Sequence, residues 1–453
     1  MILDVRKAID ESPMSRFQII AVTVCVVLNM LDGFDVLAMA FTAAHASAEW
    51  HLNGKQVGIL LSAGLLGMGA GSLFLAPLAD RFGRRTIILA SLLIIAAGML
   101  LSALAQSPDQ LAALRAFTGV GIGGMLASLT VITAEYSPNR WRSAAISMQS
   151  TGYALGATIG GIIAALLLTR FGWRSVFLFG GLATVSTLPL VLAWLPESLD
   201  HIVIKRPQGA LEKVNKILKR MGHLPADALP AAALQDAAAM DRRSGFVALL
   251  SPALVLRTLM IWAAFFLVMA SFYFVMSWTP KLLVQAGMSA SQGITGGVLL
   301  NVGGMLGCIV FSVLSPRIRL RSLLYTYIAS GALSLVLFGF VTSSLEVSMI
   351  VALVIGATIS GCIGGLYSLA PLLYPIEARA TGMGWAIGMG RIGAILAPLT
   401  VGLLIDGGWA IGHLYFLFAA PLLAAAVAVS ITFARIPAGV VDAHCKPQGA
   451  AAT

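Results

Sequence analysis

Twelve apolar runs, each long enough to cross a bilayer as a helix, constrain this chain more than any other feature. Six lie at about 17–42, 56–79, 86–106, 110–134, 143–168 and 174–195, and six more at about 258–283, 292–314, 322–342, 346–372, 381–405 and 410–434. A helix needs about 20 residues to span the hydrocarbon. Inside lipid the backbone must satisfy its own hydrogen bonds, so such runs fold as helices. Composition agrees: 58% of residues are hydrophobic and 11% charged, with a mean hydropathy of +0.92, whereas a soluble chain carries roughly 25% charge. A soluble enzyme is excluded, and the expected fold is an all-α membrane protein of twelve transmembrane helices.

One long polar segment, Glu197 to Arg257, separates the runs into two sets of six. The expected division is residues 1–196 as one six-helix bundle, 197–257 as a linker, 258–435 as a second bundle and 436–453 as a tail. Within the linker Leu211, Val214, Leu218 and Met221 recur at helical spacing, with Lys213, Lys216, Lys219 and Arg220 elsewhere on the turn. A basic amphipathic helix is expected, either on the membrane surface or packed under the bundle. Of the 29 Lys and Arg, 23 fall in one alternating set of connectors and four in the other. By the positive-inside rule both termini and the linker are then cytoplasmic. Lys and Arg are scattered through short connectors without interleaved aromatics, so the net charge of +10 implies orientation and not nucleic-acid binding. The halves also repeat weakly, Tyr136–Arg142 matching Tyr374–Arg379 and the basic loop at Arg81 matching that at Arg317. Parallel six-span repeats are a transporter architecture.

Charges inside the spans carry the functional reading. Asp32 and Asp35 sit three apart in the first span, on one helix face, and each costs about 2.5–3.5 kcal/mol near a helix centre. Two close carboxylates in a poorly solvated site oppose each other's ionisation, which suits loading and releasing a proton; an interfacial position or a structural pair is the alternative. Arg115, followed by Gly119, Gly121, Gly123 and Gly124, stays charged and serves either conformational or proton coupling or a snorkel to the interface. Arg391, about ten residues into the eleventh span, suits a bidentate grip on a substrate carboxylate, or else ties helices together. Glu135, beside Tyr136 and near Arg140 and Arg142, belongs to an interfacial charge network or a gate. Tyr153, Gln149, Asn301, Tyr367 and Trp385 are candidates to line a cavity, while the dense aromatics Phe265 to Trp278 read mainly as lipid- or bundle-facing. The small-residue spacing of Gly152, Gly156 and Gly160, and of Gly384 and Gly388, predicts close helix packing.

Absences narrow the chemistry. The sequence holds no GxxxxGK[ST], so the energy source is expected to be a proton gradient and not ATP. No metal-ligand spacing and no catalytic motif occur, so no metal, no cofactor and no catalytic residue is expected. Cys25, Cys308 and Cys362 read as small buried hydrophobes. The first apolar run is too long for a cleaved leader and reads as the targeting element.

The loop Ala76-Pro-Leu-Ala-Asp-Arg-Phe-Gly-Arg-Arg85 resembles the loop between spans two and three of the major facilitator superfamily, with Ala76 in place of the usual opening glycine. The resemblance implies a cytoplasmic gate made by Asp80, Arg81, Gly83, Arg84 and Arg85, joined by Arg142, Glu377 and Arg379. The second copy, Ser315 to Arg321, keeps its bases and lacks the acid. Arg115 with its glycines, Pro196-Glu-Ser198 and Tyr374 to Gly382 extend the match over the chain. The first-span Asp-Gly-Phe-Asp pattern, Glu135-Tyr136 and Gly390-Arg391 resemble the aromatic acid:proton symporters, importers of benzoate, hydroxybenzoates, protocatechuate and muconate. That likeness implies Asp32, Asp35, Glu135 and Arg115 in proton coupling and the conformational cycle, and Arg379 and Arg391 at the cytoplasmic gate and the substrate anion. With Arg391, the residues read above as cavity-lining, Tyr153, Asn301, Tyr367 and Trp385, and Asp35 are expected around a small carboxylate. It also implies a monomer in the bacterial inner membrane. A porter of sugars, dicarboxylates or drugs, or a non-transporting sensor, are the rival readings.

Overall fold

The computed structural model describes residues 9–10, 12–223, 225–226, 249–252, 254–315, 317–341, 344–374 and 376–435, without the side chains of 376–378 and 380. The tail at 436–453, with Cys445, and most of the second half of the linker lie outside the described residues. Among the described residues, twelve helices are long and apolar enough to cross a membrane. They are α1 (Arg16–Glu49), α2 (Gly54–Phe82), α3 (Arg84–Ser102), α4 (Pro108–Glu135), α5 (Asn139–Phe171) and α6 (Arg174–Trp194), then α9 (Val255–Gln285), α10 (Ala290–Leu314), α11 (Leu320–Val341), α12 (Leu345–Leu373), α13 (Ile376–Asp406) and α14 (Ile411–Ala434). Two short linker helices among the described residues, α7 (Leu199–Lys205) and α8 (Ala210–Met221), lie between the sets. Among the described residues there is no strand.

Local chemistry sets the ends. Ser107 accepts a hydrogen bond from the Gln110 N–H and Pro108 occupies the first turn of α4, while Ser289 and Gln292 form a capping box at α10; both satisfy otherwise orphaned amides. Helix α2 ends through a π turn at Gly71–Leu75 and a 3-10 turn at Ala76–Leu78. Gly83, at φ +97°, then supplies a conformation that a side chain would resist. The helices outrun their apolar cores, α1 reaching Glu49 and α5 starting at Asn139, because hydropathy marks hydrocarbon thickness and not the last hydrogen bond.

Contacts divide the described chain into two compact units, the first holding α1 up to Ala38 and the chain from Ala63 through α8, the second Met39–Ser62 together with α9–α14. In the first unit α1 crosses α5 backbone to backbone: a Cβ on Gly156 would stand 2.5 Å from Met30 Cα, and one on Gly33 2.8 Å from the Tyr153 carbonyl carbon. Asn29 fastens the same pair by donating to the Gln149 carbonyl at 2.6 Å. In the second unit Asp406, at the end of α13, accepts the Gly54 and Lys55 amides at 2.5 and 2.7 Å and so caps α2. The linker helix α8 buries Val214, Ile217, Leu218 and Met221, which selects the packed alternative over a surface helix. Two sequence expectations fail. Gly384 and Gly388 have no neighbour within 4 Å of an added Cβ, so they mark an open face instead of a tight crossing. Cys25 and Cys362 are buried, but Cys308 is exposed.

Candidate functional site

In the first unit the charges meet around α1 and α4. Asp32 and Asp35 are each 1% exposed, and neither carboxyl has a hydrogen-bond partner among the described residues. They lie within electrostatic reach of each other, and Asp35 within reach of Arg115. Arg115 is itself buried, which removes the snorkel reading. Its Nη2 donates to the Asp35 main-chain carbonyl at 2.7 Å, its Nη1 to Met99 Sδ at 2.9 Å, and its guanidinium carbon stands 5.5 Å from the Phe177 ring centroid. The cation is therefore held by a carbonyl, a thioether and a ring face, leaving the acid oxygens free of it. Gly180 makes room for this arrangement, since a Cβ there would stand 2.7 Å from the Phe34 ring and 3.2 Å from Asp35 Oδ1. Tyr153, half-buried, joins through its backbone against Gly33.

A second constellation occupies the other end of α4. Glu135, 3% exposed, pairs with Arg84 and accepts from Ser198 Oγ at 2.9 Å and the Leu199 amide at 3.0 Å. Its partner is Arg84 and not the neighbouring Arg140 or Arg142; Arg142 pairs with Asp10. Glu197 Oε1 accepts the Arg84, Arg85 and Ser198 amides at 2.7, 3.1 and 2.9 Å, and sits where a Cβ on Gly83 would collide with it. Tyr136 donates to the Glu197 carbonyl at 2.7 Å; burial, then Glu135, Glu197 and Asp200, raises its phenol well above the ordinary value, so it remains a donor. Asp80, 65% exposed, reaches Arg84 only at 3.6 Å, a contact of small worth. Arg81 leans on Phe82 at 5.3 Å. Asp10 is a member that sequence reasoning missed, and Glu197 and Ser198, part of the Pro196-Glu-Ser198 motif, gain a role only from the structure. Glu135 lies twenty residues from Arg115, about 30 Å along the helix, so the structure does not bring it to Asp32 and Asp35.

In the second unit Arg391 is half-buried on α13, with Tyr273 of α9 and Tyr367 of α12 within its electrostatic reach. Tyr367 stands edge-on to buried Phe265, centroids 5.5 Å apart, and Trp385 stacks on Trp262 at 5.6 Å. Gly384, Gly388 and Arg391 follow at i, i+4 and i+7 on one face of α13, and the two glycines leave that face bare. A guanidinium with two phenols in reach, next to a bare helix face, can hold a planar anion, the guanidinium taking a carboxylate. Asn301 is buried and donates to Gly297 of its own helix at 2.9 Å. Phe274 and Trp278 are fully buried, as core. Arg379 is exposed, and the Glu377 side chain lies outside the described residues. Tyr273 emerges only from the structure, since nothing in the run of aromatics distinguishes it.

The profile of the Major Facilitator Superfamily matches residues 22–367. This chain belongs to that superfamily. Among curated relatives, the 4-hydroxybenzoate transporter PcaK of Pseudomonas putida is 31% identical over 90% of both chains. The gallate transporter of the same organism is 33% identical over 94% of both, and the benzoate transport protein of Acinetobacter baylyi is 27% identical over 89% of this chain and 87% of that one. The Escherichia coli xylose transporter XylE in an inward open conformation superposes with a TM-score of 0.71 at 14% identity, covering 92% of this chain and 96% of that one, a likeness of fold. As a superfamily member with twelve spanning helices, the chain is a multi-pass membrane protein of the transporter class.

Proposed function

We propose that the protein imports a small aromatic carboxylic acid together with protons across the bacterial inner membrane, by alternating access, with both termini in the cytoplasm. The observation that carries the reading is the α13 face, where Arg391, with two tyrosines in electrostatic reach, continues a bare glycine track. Relatives named for 4-hydroxybenzoate, gallate and benzoate transport support the same ligand class. In this reading Arg391 takes the carboxylate, Tyr273 and Tyr367 address ring substituents, and Trp385 packs on the ring.

Asp32 and Asp35 take the proton. A buried carboxyl without a protein partner is costly as an anion, and a proton removes that cost without breaking any hydrogen bond. Arg115 holds the surrounding backbone, while the Arg84–Glu135–Ser198 network gates the cytoplasmic end. The working unit is a monomer whose energy source is the proton gradient alone. The test is uptake into proteoliposomes of labelled benzoate, 4-hydroxybenzoate, protocatechuate, cis,cis-muconate and a hexose under an inward proton gradient. Accumulation of an aromatic acid that collapses with a protonophore is expected. Hexose accumulation without acid uptake would overturn the reading.

A further inference from the structure

Beside the linker, adjoining the Arg84–Glu135–Glu197 cluster and away from the Asp32–Asp35 pair, the first unit contains a cavity of about 680 Å³, within the roughly 300–1,000 Å³ of small-molecule sites. Three of its cations come from one edge of α8, where Lys213, Lys216 and Arg220 follow at i, i+3 and i+7. A fourth, Arg85, comes from the start of α3. None of the four has an ion-pair partner among the described residues. Arg85 donates from Nη2 to the Leu192 carbonyl at 2.6 Å, and its Nε is buried without a partner among the described residues. The one lining acid, Glu197, has Oε1 occupied by three backbone amides. Among the described residues, four cations therefore line a cavity with a single carboxylate, one oxygen of which is held by backbone amides.

The apolar side of α8 is buried in protein, so this helix does not reach the membrane by inserting its hydrophobic face. Its cations face the cavity instead. The cavity's other wall includes Phe82 and Leu192, which are 53% and 58% exposed at the ends of the spanning helices α2 and α6. A cationic wall next to exposed apolar side chains at the end of a membrane span is complementary to an anionic headgroup attached to acyl chains.

We infer that this cavity binds the headgroup of an anionic phospholipid, which bridges α8 to the start of α3. The phosphate takes Lys213, Lys216, Arg220 and Arg85, and the glycerol end of the acyl chains lies on Phe82 and Leu192. The lipid thereby joins the linker to Arg85, whose neighbour Arg84 pairs with Glu135.

The test is native mass spectrometry of the full-length protein in mild detergent, titrated with phosphatidylglycerol, with phosphatidylcholine, and with inorganic phosphate as competitor. A juxtamembrane cation is worth about fivefold in affinity, less where water screens it. The double variant Lys213→Gln, Lys216→Gln is therefore expected to weaken phosphatidylglycerol binding about tenfold. Arg220→Gln alone is expected to weaken it about threefold, and Lys219→Gln, on the same helix but outside the cavity, to leave it unchanged. A monodisperse elution profile identical to wild type establishes that each variant is folded. Equal binding of phosphatidylcholine, an equal loss in Lys219→Gln, or displacement of the lipid by inorganic phosphate would each overturn the inference, the last by assigning the cations to a free anion.

Discussion

Replacing Gly156 by alanine tests the part of the structure on which the carboxyl pair depends. A Cβ there would overlap the Met30 carbonyl and stand 2.5 Å from Met30 Cα, whereas ordinary contact begins at 3.4 Å, so α1 and α5 must part by more than about 0.9 Å. If α1 yields, the bond from Arg115 to the Asp35 carbonyl, 2.7 Å long, is disturbed, and hydrogen bonds weaken steeply as they lengthen or bend. Overpacking of this kind costs about 1–3 kcal/mol, against roughly 1 kcal/mol gained by alanine over glycine in a helix. Gly156→Ala should therefore be destabilised by up to about 2 kcal/mol and lose gradient-driven uptake. The control is the same substitution at Gly384 or Gly388, where nothing stands within 4 Å. There stability should hold or rise, while apparent affinity for the aromatic acid falls because the new methyl occupies the face assigned to the ring. Thermal inactivation of purified protein and initial uptake rates read the two effects separately. The reasoning fails if Gly156→Ala and Gly388→Ala behave alike in both assays.

Asp32→Asn should abolish accumulation against a gradient while leaving substrate exchange measurable in preloaded proteoliposomes; unchanged accumulation would remove Asp32 from the proton path. Arg391→Ala should raise the apparent KM for the acid about tenfold to hundredfold, the worth of hydrogen bonds to a charged group, with thermal stability unaltered; an unchanged KM would return Arg391 to a structural role. Glu135→Gln should lower thermal stability. Breaking a buried pair costs about 3–5 kcal/mol, and Arg84, 19% exposed, recovers part of that from water, so a loss of about 2 kcal/mol is expected. Stability equal to wild type would show that Arg84 has another partner.

The twelve spans were legible because a long apolar run in lipid has one structural solution, and Asp32, Asp35 and Arg115 stood out because charge inside such a run is expensive. What escaped was partnership across the sequence. Glu135 has Arg140 and Arg142 within seven residues, yet its cation is Arg84, brought there because Gly83 turns the chain and Glu197 holds the next two amides. Spacing also cannot say whether a small residue faces a neighbour. Gly152 and Gly156 meet α1, whereas Gly384 and Gly388, at the same interval, face open space. Tyr273 was hidden for a related reason, since only its approach to Arg391 separates it from the aromatics beside it.

On the proposed symport, the way Arg115 is held bears directly on coupling. Had it gripped the Asp35 carboxylate, protonating that acid would break an ion pair, and each transport cycle would include that penalty. Its hydrogen bonds go instead to the Asp35 main-chain carbonyl and Met99, so a proton can enter or leave Asp35 while the helix contacts persist and only the local field changes. On the proposed symport, one proton with one monoanion moves no net charge, whereas a second proton adds about 2.3 kcal/mol of drive per 100 mV. Two neighbouring buried carboxyls provide sites for both protons. The choice between neutral and voltage-driven import then rests on whether both Asp32 and Asp35 are loaded in one cycle, while Arg115 holds the same contacts in either case.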